Sequence, residues 1–83
     1  MPFRNKLLYV ARFVVDSQGK RIGESISVFE DMLIIKKGEK FYAIPFKHVE
    51  MRGEEIRVRG IVQWDKAEAL AKRWKNAQNG NRG

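Results

Sequence analysis

Turn-forming residues recur so often in this chain that nothing before residue 65 is long enough for more than a short strand. Asp16-Ser17-Gln18-Gly19-Lys20, Glu30-Asp31, Lys37-Gly38-Glu39 and Arg52-Gly53-Glu54 cut the first sixty residues into runs of roughly six to twelve. The runs themselves are rich in β-branched and aromatic residues, which suit a pleated, half-buried surface better than a helix.

The first run, Leu7 to Val15, contains a single charge, Arg12, which sets the outward parity and leaves Leu7, Tyr9, Ala11, Phe13 and Val15 pointing inward. In Arg21 to Phe29, Ile26 and Val28 alternate with Ser25 and Ser27, so the serines read as the outward face. Gly23 breaks that alternation relative to Ile22, as a β-bulge or a barrel bend would. Met32 to Lys36 predicts a third strand and Lys40 to Ile44 a fourth, stopped by Pro45, which has no N–H to give a ladder. Phe46 to Met51 reads as a helical turn or loop. Glu55 to Val62 predicts a fifth strand, with Ile56, Val58 and Val62 against Arg57, Arg59 and Ile61.

At Asp65 the period changes. Ala67, Leu70, Ala71 and Trp74 recur at helical spacing, predicting an amphipathic helix over 65–76 capped by Asp65, with Glu68 reaching back to the cap and pairing with Lys72. Residues 77–83 are polar and glycine-rich and are expected to be disordered. Short strands in a meander followed by one helix predict a mainly β fold: a small antiparallel barrel of five to six strands with a C-terminal helix, in a single domain over 1–76. Side chains fill so small a barrel, and ligands are therefore expected outside it or at its rim.

The residue inventory argues against catalysis. The 83 residues include no cysteine, which excludes disulfides and thiolate metal sites. There is one histidine, His48, and the serines Ser17, Ser25 and Ser27 fall in a turn and on a strand face. No spacing matches a zinc or calcium motif, and Gly19-Lys20-Arg21-Ile22-Gly23 lacks the Lys-Ser/Thr and the helix of a phosphate loop. No enzyme activity, metal or cofactor is expected. Leu7 to Val15 is too short to span a membrane and runs into a turn rather than a cleavage site, so a cytoplasmic protein without membrane insertion is expected. Abundant Lys, Arg and Glu without Cys or Thr lean toward a thermophilic source.

The net charge of +7 is concentrated at the ends. Residues 1–23 carry five bases against one acid and residues 61–83 five against two, while residues 24–60 balance seven with seven. A single basic patch therefore requires the two ends to meet.

Phe13-Val14-Val15-Asp16-Ser17-Gln18-Gly19-Lys20-Arg21-Ile22-Gly23-Glu24 resembles the opening hairpin of a PRC-barrel domain, with its Asp/Ser-Gly-Lys turn followed by Ile-Gly. Leu33-Ile34-Ile35, Tyr42-Ala43-Ile44-Pro45, Val49 and Glu55-Ile56-Arg57-Val58 are similar to its later part, so the resemblance spans roughly residues 7 to 60. With its added helix the chain looks most like an uncharacterised archaeal β-barrel family related to that fold. The resemblance implies a non-catalytic adaptor that binds protein, and carries over no site residue.

Two roles follow as expectations. The first is a protein-binding module or homodimer that uses a strand edge or the helix face, with Leu70, Trp74 and Trp64 as interface residues. The second is nucleic-acid binding, in which Arg57 and Arg59 join Arg4, Lys6, Lys72, Arg73 and Lys75 on phosphates.

Overall fold

The computed structural model describes residues 6–80. Six strands, β1 (Phe13–Val15), β2 (Arg21–Phe29), β3 (Met32–Lys37), β4 (Lys40–Pro45), β5 (Val49–Arg52) and β6 (Glu55–Val58), precede one helix, α1 (Trp64–Gly80). Single 3-10 turns stand at Lys6–Tyr9 and Phe46–His48. The strands form one sheet in the order β4-β3-β2-β1-β6-β5. Neighbours are antiparallel except β1 and β6, which run parallel, with Val14 opposite Ile56.

The mainly β class and the C-terminal helix agree with the sequence, whereas the antiparallel barrel does not. The sheet is mixed, and its two ends, β4 and β5, are not paired with each other. Pro45 leads the chain off β4 into the 3-10 turn at Phe46–His48, and the β5–β6 hairpin that follows docks β6 on β1. That hairpin was hidden in the sequence because Val49 to Arg52 is only four residues long and sits next to a turn. Conversely, β6 ends at Val58, so Arg59 to Gln63 is an irregular connection rather than the end of a strand.

Two local parities also differ from expectation. Ala11 adopts φ +66°, which turns the chain out of the 3-10 turn and leaves only three residues for β1. Val14 and Val15 are both buried, while Phe13 is exposed beneath the Arg21 guanidinium, 3.7 Å from its ring centre. The ladder slips opposite Val14 and Val15, leaving Ile22 of β2 as the extra residue. Arg12 is held by backbone carbonyls, its Nε donating to Leu8 O at 2.6 Å and Nη1 to Glu54 O at 3.2 Å. Ser25, expected outside, is almost fully buried. Its hydroxyl accepts from Arg12 N at 2.9 Å, which provides the partner a buried hydroxyl requires. A second slip, between Ser25 and Ser27 against Ile35 and Ile34, turns Ile26 to the other face.

The sheet buries both of its faces at β3 and β4. On one face Leu33, Ile35, Tyr42 and Ile44 meet Val14, Ile56 and Val58, a principal core that draws on both ends of the sheet. On the other, Met32, Ile34 and Ala43 meet Ala71, Leu70 and Trp74 of α1. The helix follows the edge strand β4 and straddles both clusters, since Ala67 belongs to the first and Ala71 to the second. It begins one residue earlier than expected and runs to Gly80, so Ala77 to Gly80 are helical rather than disordered, and residues 81–83 lie outside the described part. Asp65 occupies the first turn, where its charge favours the positive end of the helix dipole, and Glu68 pairs with Lys40 at 3.9 Å.

The β1–β2 turn yields a pH-dependent prediction. The backbone N–H groups of Lys20 and Gln18 each donate to Asp16 Oδ1 at 2.9 Å. The Lys20 bond foremost holds the carboxyl below its ordinary value of 3.8. Because the folded state favours the ionised form, this contribution is present above that value and is lost as pH falls through the lower, folded one. Urea midpoints measured from neutral pH to acid are expected to fall more steeply for the wild type than for Asp16→Asn. The wild-type advantage is present at neutral pH, and the two curves converge as pH falls below 3.8.

Candidate binding groove beside the open sheet edge

The gap between the ends of the sheet leaves a groove of about 430 Å³. Ala43, Ile44 and Pro45 of β4, Val58 at the end of β6, and Ala67 and Leu70 of α1 form its apolar floor. The wall is the connection from β6 to α1, which turns at Gly60 (φ +80°) and presents Ile61 to solvent, 94% exposed. A β-branched side chain left that open beside an apolar floor has nothing in the described chain to cover it.

The polar lining is Arg59, His48, Gln63 and Lys66, and no acidic residue contributes. Arg59 is the most firmly placed. Its backbone N donates to His48 O at 2.7 Å and its Nη2 to Lys47 O at 2.8 Å, so the arginine is latched to the 3-10 turn that starts β5. Three guanidinium N–H groups beyond the one at Nη2 and the one at Nε remain for a ligand; a carboxylate matches that fork. The groove thus offers apolar contact and a positive rim, with no nucleophile and base arranged for chemistry.

The expected interface residues are partly gathered here. Leu70 lines the groove. Trp64 is not part of the lining; it packs on the principal core, edge-on to Tyr42 with ring centres 4.7 Å apart, and Lys37 Nζ stands 5.4 Å from its ring. Trp74 lies further along α1 against Phe41 at 5.4 Å and secures the helix to β4, with its Nε1 buried and unbonded.

The expected phosphate-binding set is not brought together. Arg57 faces away from the principal core, directly opposite Glu50 across the β5–β6 ladder, and its Nη1 donates to Ser17 O at 3.3 Å. Arg73 pairs with Glu30 at 3.0 Å, a residue at φ +56° in the β2–β3 turn. Lys75 sits over the Phe41 ring at 5.3 Å, and Lys72 is exposed on α1. Arg4 lies outside the described residues, and for Lys6 only the backbone is described. A second hollow, open and of about 420 Å³, lies beside Phe13, Arg21, Lys36 and Lys37, where Glu24 sets an acid among the bases.

Sequence reasoning missed His48, Gln63, Ile61 and Lys66 as groove residues. The available signal was Ile61, whose outward parity placed an isoleucine in solvent. Among the described residues no three His, Cys, Asp or Glu side chains lie together as a metal site would require, and no helix is long and apolar enough to cross a membrane.

Fold and groove together define a small mixed-sheet domain with one helix against its edge strand. Residues 10–79 match the model of a family of unknown function (DUF5749), and the chain belongs to that family. No curated protein matches the chain.

Proposed function

We propose that the chain is a non-catalytic, protein-binding module that receives an extended acidic and apolar segment of a partner in the groove between β4 and the β6–α1 connection. The observation that carries this reading is the lining itself: an apolar floor with Ile61 exposed beside it, and a rim holding Arg59 and Lys66 without any acid. Charge complementarity of this kind sets partner choice and association rate, while the apolar floor supplies the burial. The resemblance to PRC-barrel adaptors supports the same role.

The test uses two fluorescent hexapeptides, one alternating Asp or Glu with Leu or Val and one with Lys at the charged positions, followed by anisotropy against the full chain. The acidic peptide should bind. Charge reversal by Arg59→Glu or Lys66→Glu should weaken it by about tenfold or more, equivalent to about 1.4 kcal/mol. Equal binding of both peptides, or indifference to the two variants, would defeat the proposal. Salt-steep binding of single-stranded RNA without binding of the acidic peptide would replace it by the nucleic-acid reading.

A further inference from the structure

The sheet has a second end, and there the charges are ordered. β5 forms the edge opposite β4, and among the described residues no strand pairs with its outer side. A strand edge left open in this way is a template for another strand. Its sequence is Val49-Glu50-Met51-Arg52. Val49 and Met51 point to the principal core, so Glu50 and Arg52 share the outward face, joined by an ion pair of 3.1 Å. Across the ladder Glu50 stands opposite Arg57 and Arg52 opposite Glu55, so the hairpin carries a two-by-two checkerboard of charge.

We infer that β5 is a self-association edge, at which a second copy of this chain adds its own β5 antiparallel about a twofold axis through Met51. In that register Glu50 falls opposite the partner's Arg52, and Arg52 opposite the partner's Glu50. The checkerboard of each hairpin then continues into the other. Reading across the two hairpins, one row runs Arg57, Glu50, the partner's Arg52, the partner's Glu55, and the second row is its symmetry mate. Every neighbour in both rows is of opposite sign. On the other face Met51 meets its own copy beside Ile56, which stands opposite it in the ladder. A shift by one residue sets Glu50 opposite the partner's Met51 and moves the apolar side chains to the charged face, so the register is specified. The arrangement is isologous, closes on itself and leaves no further edge at that end. Four residues per strand make a small joint, so the dimer is a weak one.

Sedimentation equilibrium of the full chain tests this without reference to the groove. The wild type should show monomer–dimer exchange. Glu50→Arg and Arg52→Glu should each remain monomeric at concentrations about tenfold above the wild-type midpoint, because like charges then face each other twice. An equimolar mixture of the two variants should dimerise again, since the all-acid strand meets the all-base strand, and the double exchange Glu50→Arg with Arg52→Glu should dimerise alone. Circular dichroism identifies any variant that fails to fold, and in that event the fourfold exchange Glu50→Arg, Arg52→Glu, Glu55→Arg and Arg57→Glu by itself decides, since it restores both the charge pattern of the hairpin and that of the joint. A wild type that is monomeric throughout, or a dimer indifferent to both single variants, overturns the proposal. Acidic-peptide binding is read separately, so failure of either proposal leaves the other standing.

Discussion

Gly23→Ala is expected to destabilise the chain by about 2–5 kcal/mol, enough to remove much of the margin of a domain this small. A Cβ at this position would stand 2.6 Å from the Lys36 carbonyl oxygen and 3.3 Å from its carbon, both backbone atoms of β3. Backbone in the middle of a sheet cannot move aside as a side-chain tip can. Relief therefore means spreading β2 from β3, and that joint orders Leu33 and Ile35 for the principal core. The left-handed-side φ of +159° adds strain for any L side chain. Gly38→Ala separates the two effects, because it also has a positive φ (+66°) but open space around the new Cβ. It should cost only about 1–2 kcal/mol. Urea melts of both variants decide the matter, and equal losses would show that sterics at β3 are not the cause.

Ile56→Ala should be comparably severe, at about 2–5 kcal/mol and a fall in Tm on the order of 10–30 °C. Ile56 is fully buried where β6 meets both β1 and β5, opposite Val14 on one side and Met51 on the other. No long stretch of ladder reinforces this joint, since β1 and β6 share only two paired positions, so side-chain packing carries it. Truncation leaves a cavity in the principal core. Ile61→Ala is the informative contrast. At 94% exposed it should change stability by no more than about 0.5 kcal/mol while weakening the acidic peptide. Loss of stability at Ile61 equal to that at Ile56 would mean that the connection is part of the core, and the groove reading would fall with it.

The groove was only partly legible beforehand. Leu70 was marked by helical spacing and Arg59 by strand parity, and both line it. Lys66 and His48 carried no such mark, since a lysine on a helix's wet face and a histidine in a loop look alike wherever they occur. The basic set failed as a patch for a related reason. Charge along a sequence says nothing of the groups placed opposite: Glu30 pairs with Arg73 from a distant part of the chain, and Arg57 stands opposite Glu50 in the ladder and bonds to Ser17 O. Leu70 and Trp74 stand out as interface residues by helical spacing and Trp64 by its place beside the helix, and the helix uses the two tryptophans to grip β4.

Strand content, the turns at Gly19, Gly38 and Gly53, the irregularity at Gly23 and the terminal amphipathic helix are properties of the sequence alone. Each rests on local physics, either a period of two or 3.6 or a backbone conformation that favours glycine. Closure of the sheet is not local. Whether β4 pairs with a later strand depends on where Pro45 sends the chain, on a four-residue strand too short to announce itself, and on a helix competing for the same edge. Those interactions join residues far apart in sequence, and their balance is struck only when the whole surface is buried at once. The tertiary structure therefore decided that the sheet stays open among the described residues, and with it that one end carries a basic-rimmed groove and the other a strand of alternating charge whose outer side no described strand pairs.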